Sequence, residues 1–364
     1  MGAFSRDVLR LDLEAKAVEL AATFREAVHR RLRRRGVVVA VSGGIDSACV
    51  AALAARAFGP DCVLGLLLPE RECSDKSTIY GRKLCKALEI PWELHDVGPI
   101  LEAAGCYRMR EEALRAVFPG LRPTMPWKLS MHGDRLASDA LNFPYAVVRT
   151  DEGELRFRLP PRAYAQIVAA TNLKQRTRKM IEYTYADRLG YAVAGTPNRL
   201  EYDQGFFVKL GDGAADVKPI ASLYKTQVYA LARHLGVIDE IVRREPTTDT
   251  FSMEQGQDEF YFSVNYQTLD LLLWAKNHGV PVDETARVMG LTPEQVRRVH
   301  DDIDQKRRTT AYLHAPPILL EPVNEIGLPA RAATLSATGG SREPPRARGS
   351  REASGHAPRA DVRT

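Results

Sequence analysis

The chain has 364 residues, 45% of them hydrophobic, enough to bury one large or two modest cores. No apolar run reaches membrane-spanning length and no secretory h-region opens the chain, so a membrane or exported protein is set aside and a cytoplasmic one expected. A net charge of +5 is mild, and Cys49, Cys62, Cys73, Cys85 and Cys106 form no CxxC pair, which argues against a zinc site and for a reducing compartment.

Residues 8–35 carry Val8, Leu9, Leu11, Leu13, Val18, Leu20, Ala21 and Phe24 at roughly helical spacing and end in Arg30, Arg31, Arg33, Arg34 and Arg35. Cations at a helix end suit the dipole, and a solvated face is preferred here to a nucleic-acid patch. Next, Val37 to Val41 reads as a buried strand. It breaks into Ser42-Gly43-Gly44-Ile45-Asp46-Ser47, and Ala48 to Phe58 follows as an alanine-rich helix. Two glycines let backbone N–H groups approach an anion, and an open helix end adds partial positive charge. A carboxylate beside phosphates is repulsive unless a metal ion lies between them, so Asp46 points to a metal-bound nucleotide. The turn is neither a Walker loop nor a GxGxxG fingerprint.

Cys62 to Leu68 is expected to be a second strand, Ser77 to Leu88 a helix and Trp92 to Val97 a third strand. This alternation predicts an α/β fold: a doubly wound, mostly parallel sheet with helices on both faces, its ligand beyond the strands' carboxyl ends. Leu101 to Phe118 reads as one helix. Tyr145 to Arg149 and Glu154 to Leu159 flank Asp151-Glu152-Gly153 as an inserted hairpin, half-buried through Leu155, Phe157 and Leu159, near the active-site mouth or a subunit contact. Asn172 opens a helix to Leu189 with Met180, Ile181, Tyr183 and Leu189 available to the core. Within it Asn172 and Arg176, and likewise Lys174 and Arg178, share faces that usually stay solvated. Tyr191 to Gly195 is a further strand, ending at Thr196-Pro-Asn-Arg-Leu-Glu201. Gly205 to Asp216 is a glycine-rich loop, and Leu223 begins a helix through Leu235.

The Ser42–Ser47 turn resembles the signature of the PP-loop ATP pyrophosphatases. With Asn172-x-Lys-x-Arg-x-Arg178, Gly195-Thr196-x-Asn-x-x-Glu201, Gly205-Phe-Phe-x-Lys209-x-Gly-Asp-Gly-x-x-Asp216, Leu223-x-Lys225-x-Gln, Glu245-Pro-Thr247 and Lys306-Arg307-Arg308, the resemblance narrows to the NAD synthetases over residues 20–318. That resemblance implies an ATP-dependent ligase that adenylates the carboxylate of deamido-NAD, releases pyrophosphate and lets ammonia displace AMP. It implies Asp46 and Glu201 as Mg²⁺ ligands. Ser42, Gly43, Gly44, Ile45, Asp46, Ser47, Thr196, Lys225 and Thr247 would hold ATP, and Arg176, Lys209, Asp216 and Lys306 would hold deamido-NAD. Asp46 and Lys225 are expected to serve catalysis. Asp212 is expected to position ammonia or take its proton, the alternative being an ordinary Gly-Asp-Gly turn.

A symmetric homodimer is implied. No glutaminase domain fits before Val37, so free ammonia or a separate glutaminase partner is expected to supply nitrogen. The expected organisation is an N-terminal helix over 1–36, the main domain over 37–328 with an insertion at 99–165 and a helical part at 265–318, and a disordered tail at 330–364. Gln305 where the family has His, the 309–314 spacer, the aromatic 248–262 loop and the long hairpin all fall on the acid-substrate side. They admit a paralogue that amidates another carboxylate. A PP-loop tRNA-modifying enzyme and a non-catalytic nucleotide sensor are the more distant rivals. Residues 284–298 also mimic a helix-turn-helix, for which a structural helical pair is the preferred reading.

Overall fold

The computed structural model describes residues 4–122, 124–131, 136, 143–244, 251–253, 256, 261–262 and 264–321. Helix α1 (Leu13–Glu26) starts where the Asp12 carboxylate accepts the Ala15 N–H, and it runs on as a π turn, Ala27–Arg31. Then follow β1 (Val37–Ala40), α2 (Ile45–Phe58), β2 (Val63–Leu67), α3 (Asp75–Ala87) and β3 (Trp92–Leu94). Two short helices come next, α4 (Gly98–Ala103) and α5 (Cys106–Arg115), in place of the single helix expected from the sequence. Gly105 separates them at φ +73°, a left-handed conformation that ends one helix and lets the next begin.

Three strands, β4 (Trp127–Met131), β5 (Pro144–Thr150) and β6 (Gly153–Arg158), make an antiparallel sheet in the order β4-β5-β6, so the expected hairpin has a third member. Its outer strand is buried at one end only: Leu155 is exposed, whereas Phe157 and the following Leu159 pack with Trp127, Leu129, Ala146 and Val148. Helix α6 (Pro161–Leu189) is eleven residues longer at its start than Asn172 suggests, because Pro160-Pro161 opens it with proline at its first turn. Met180 on this helix is exposed, whereas Ile181 is in the core. The chain closes through β7 (Ala192–Ala194), α7 (Arg199–Gln204), α8 (Lys225–His234), α9 (Asp239–Val242), α10 (Tyr266–Asn277), α11 (Val282–Met289) and α12 (Pro293–His314).

The main sheet is parallel, in the order β3-β2-β1-β7. Strands buried on both faces read as continuous apolar runs, and the period of two divides them cleanly. Val37, Val39, Val63, Leu67, Ala192 and Ala194 face α1, α2 and α8. Val38, Leu64, Leu66 and Val193 face Leu101, Tyr107 and the Ala170, Ile181 and Ala186 side of α6. The helix-turn-helix look-alike is α11 and the start of α12; Val296, Val299 and Ile303 pack with Leu269, Leu272 and Leu273 of α10 in a separate helical core. Among the described residues no helix is long and apolar enough to cross a membrane. The chain divides at Ala315; residues 316–321 of the second unit form no helix or strand, and the expected 330–364 tail lies outside the described residues.

Candidate active site

In the order β3-β2-β1-β7 the chain leaves β1 toward one edge and returns at β7 on the other side. A crevice therefore opens at the carboxyl ends of these two neighbours. On the β1 side, Ser42 and Ser47 stitch the turn shut. The Ser42 N–H donates to Ser47 Oγ (3.2 Å), the Gly44 N–H donates to Ser42 Oγ (3.3 Å), and Ser47 Oγ donates to the Gly44 carbonyl (3.0 Å). Gly43 has φ +76°, and a Cβ there would lie 2.5 Å from the Ser77 carbonyl oxygen, so only glycine fits. Gly44 is the N-cap of α2 and has no side chain to occupy the first-turn N–H groups, which stay directed at whatever fills the crevice.

On the β7 side, Asn198 caps α7. Its Oδ1 accepts the Leu200 and Glu201 N–H groups (2.9 and 3.2 Å), and its own N–H donates to Glu201 Oε2 (3.1 Å), a capping box. Asn198 Nδ2 also donates to Asp46 Oδ1 (3.0 Å), so the cap reaches across and fixes the first carboxylate. Lys225, at the start of α8, donates from Nζ to Asp46 Oδ2, and its side chain is almost wholly buried. Burial opposes the Lys225 charge, but Asp46 and then Glu201 hold its pKa above the usual lysine value. Burial, and next the charge of Asp46, push Glu201 up to about 8, with Lys225 opposing.

Two partly buried carboxylates beside one ammonium leave room for more positive charge. Mg²⁺ fits this donor set, being an oxygen-seeking ion commonly held by one or two carboxylates plus substrate phosphates. Among the described residues no cluster of three His, Cys, Asp or Glu forms a ready metal cage, so phosphate and water oxygens would complete the shell.

Asp270 is not singled out by any sequence pattern, yet it sets the position of Lys225. From α10 its fully buried carboxylate accepts the Lys225 and Thr226 N–H groups (3.2 and 2.7 Å), capping α8 from another element. Burial pushes its carboxyl up to about 6.

A cavity of about 650 Å³ extends from the crevice. Ser42, Gly44, Ile45, Asp46, Ser47, Thr196, Glu201 and Lys225 line it, and so do Arg176, Lys209 and Asp212. Asp212 Oδ1 accepts the Val208 N–H (2.8 Å), fastening the Gly-Phe-Phe loop, while burial raises its pKa above the usual range. Lys209 Nζ donates to the Tyr312 and Ala315 carbonyls (2.8 and 2.9 Å) at the end of α12, and Arg176 Nε donates to the Lys209 carbonyl (3.2 Å).

Other expected residues stand apart. Gly43 packs against Ser77 and supports the turn from behind. Asp216 does not line the cavity; its carboxylate accepts the Val193 N–H (2.8 Å) and the Tyr183 hydroxyl (3.4 Å), stitching β7 to α6. Lys306 pairs with Asp302 (2.6 Å) and sits over the Tyr261 ring, so it backs a residue of the cavity lining without lining the cavity itself. Thr247 lies outside the described residues.

The spacing of Lys174 suggests a solvated face, but the structure buries it. Its Nζ pairs with Glu70 (3.1 Å) and Glu72, Arg110 also meets Glu72, and the Tyr107 hydroxyl donates to Glu70 (2.8 Å). Burial alone would raise the Glu70 carboxyl, yet Lys174, Tyr107 and Arg178 hold it below the usual range. Arg178 Nε donates to the Leu68 carbonyl (3.2 Å), so the residues after β2 are tied to α6 at the rim of the crevice. Sequence spacing hides this network because its two halves lie about a hundred residues apart.

A sequence model of the family described as NAD synthase matches residues 17–118 and 147–311. An NH(3)-dependent NAD(+) synthetase of Mesorhizobium japonicum is 54% identical over 319 residues, covering 87% of this chain and all of the relative. Among solved structures, an NH3-dependent NAD synthetase from Campylobacter jejuni superposes with a TM-score of 0.55 at 22% identity, over 85% of this chain and 100% of that one. An NMN synthetase from Francisella tularensis superposes at 0.57 and 20% identity, over 86% and 99%. These two likenesses speak to the fold.

Proposed function

The chain belongs to the NAD synthase family, and from that membership and the cavity's geometry we propose how its residues share the work. It is an ATP-dependent ligase that forms a carbon–nitrogen bond, turning deamido-NAD, ATP and ammonia into NAD, AMP and pyrophosphate. The relative's identity over its whole length favours this acid over a different carboxylate. The single observation that carries the division of roles is the meeting of Asp46, Glu201 and Lys225 across the β1–β7 crevice, beside a pre-closed glycine turn.

The N–H groups of the Ser42–Ser47 turn and the open end of α2 hold ATP phosphates, with Thr196 beside them. Mg²⁺ held by Asp46 and Glu201 would supply positive charge against the departing pyrophosphate. Lys225, held charged by its neighbours, screens the α-phosphate while a substrate carboxylate oxygen attacks it. Ammonia then attacks the acyl carbon, AMP leaves, and the nitrogen's surplus proton passes to Asp212, whose raised affinity suits it to accept one. Arg176 and Lys209 bind the phosphates of the acid substrate. The family resemblance also implies a homodimer. Free ammonia suffices as donor without a glutaminase partner.

Incubating the protein with ATP, Mg²⁺, ammonium and deamido-NAD should yield AMP, pyrophosphate and NAD in equal amounts. Chelating the metal should stop all three. Formation of none of them with metal present would refute the assignment; sedimentation tests the dimer.

A further inference from the structure

Just past the last arginine of its motif, helix α6 carries an ion pair into the cavity wall that no motif includes. Lys179 Nζ donates to Glu182 Oε2 (2.7 Å), the two side chains are 6% and 4% exposed, and both residues line the cavity. Among the described residues Glu182 is the only hydrogen-bond partner of Lys179. Stability does not explain such a pair. Taking two charges out of water is costly, and well-packed apolar residues of similar volume often serve a fold as well or better.

The pair faces the loop of Asp212. Lys179 and Glu182 follow Gln175 by four and seven residues on one face of α6, and Gln175 lines the cavity too. A Cβ at Gly211 would lie 2.9 Å from the Gln175 Cβ, so the backbone entering Asp212 rests on this face, one turn before Lys179. The charged groups around Asp212 are Lys179, Glu182 and Arg178 of α6, Glu201 of α7, and Lys218 beyond the loop. Arg178 is engaged by the Leu68 carbonyl and the Cys73 sulfur, and Lys218 lies over the Tyr202 and Phe207 rings. Burial raises the proton affinity of Asp212; the Val208 N–H and then Lys179 lower it.

A base works best when its affinity matches the working pH. Burial alone would leave Asp212 protonated before ammonia arrives, whereas an unshielded lysine beside it would make it too weak a base. Lys179 bonded to Glu182 is a cation moderated by its own carboxylate.

We propose that Lys179 and Glu182 are positioning residues for amide formation, holding Asp212 as a carboxylate ready to take the proton of the attacking nitrogen. The acyl carbon gains its bond to nitrogen, its bond to the AMP oxygen breaks, and the surplus proton goes to Asp212. Lys179 and Glu182 keep their own protonation states throughout. Oδ1 of Asp212 is taken by the Val208 N–H, which leaves Oδ2 for that proton. The inference rests on the reading of Asp212 as the base for ammonia.

The test follows NAD formation as kcat/KM for ammonium across pH, at saturating ATP and deamido-NAD. It compares wild type, Lys179→Met, Glu182→Gln, the double variant Lys179→Met with Glu182→Leu, and Asp212→Asn. First-turnover pyrophosphate release, which precedes ammonia, is read in parallel. Loss of the Lys179 charge should move the acid limb of the ammonium profile up by about one pH unit, roughly a tenfold fall in kcat/KM below the limb. Glu182→Gln should move it down, because Lys179 then acts on Asp212 unopposed. The double variant removes both charges at little cost to folding and should still move the limb up, so a folding defect in Lys179→Met does not remove the test. The pH profile of pyrophosphate release should stay in place in these three. A limb that stays put while kcat/KM falls at every pH would reduce the pair to packing. Equal shifts in both steps would assign it to adenylation, and shifts in one direction for Lys179→Met and Glu182→Gln would contradict the charge argument; any of these overturns the proposal. If Asp212→Asn keeps the wild-type ammonium profile, the reading of Asp212 itself fails.

Discussion

Asp270 offers a sharp test, because three terms of known size compete there. Its carboxylate receives two N–H donors at the start of α8, each charge-assisted bond being worth roughly 1.5–3 kcal/mol. Burial outweighs these donors, so that the carboxyl is lifted on balance from 3.8 to about 6, a net roughly 3 kcal/mol against the ionised form. Asp270→Asn keeps one acceptor oxygen and removes the buried charge, so the two effects offset and stability should change by about 1 kcal/mol or less. Asp270→Ala strands both N–H groups at a buried helix end, and the loss should reach about 3–5 kcal/mol. Urea denaturation with an unchanged slope reads both values. Since Lys225 is one of the two residues Asp270 holds, kcat should also fall in the alanine variant.

The pH dependence has a definite sign. The native carboxyl binds its proton more tightly than the unfolded one. Its contribution is therefore fully present below about pH 4 and lost as pH rises through about 6. The stability of wild type relative to Asp270→Asn should decline across that window. An alanine variant as stable and active as wild type, or an asparagine variant as damaged as alanine, would refute the cap and the arithmetic together.

Asp46→Asn should cut pyrophosphate release at least roughly a hundredfold at saturating Mg²⁺, and retained activity would remove Asp46 from the metal-binding pair. Gly43→Ala forces a side chain into a left-handed turn and against the Ser77 carbonyl, so KM for ATP should rise by about tenfold or more. An unchanged KM would contradict the tight packing behind the turn. Lys174→Met strips a cation from buried Glu70 and should cost about 3–5 kcal/mol in urea titrations, with Glu70→Gln in the same chain recovering part of the loss. Strict additivity of the two changes would show that the pair is not coupled.

What the sequence discloses is the local chemistry: the valine run, the Ser-Gly-Gly turn, Glu201 three residues past its Asn198 cap, and the parallel sheet that their alternation demands. Contacts between distant segments are not legible in it. Lys174 looks solvated because periodicity cannot register Glu70 and Glu72, and Asp270 carries no motif because it caps a helix that is not its own. The strand β4 escapes notice since its pairing with β5 crosses a long intervening stretch rather than a tight turn. Conversely, Asp216 and Lys306 match a motif while their side chains serve β7 and α12. Motif membership identifies a residue type at a position; only packing decides which way it points.

One wall of the cavity, from Tyr164 to Glu182, is carried on α6, a single helix of 29 residues. Such a rod gauges length. Adding or removing one residue between Tyr164 and Arg178 would turn one end by about 100° relative to the other, facing the aromatic end away from the cavity. Both ends keep their aim only when the change approaches whole turns, each about 5.4 Å. The spacing along this wall of the cavity is thus adjustable in steps and not by gradual drift.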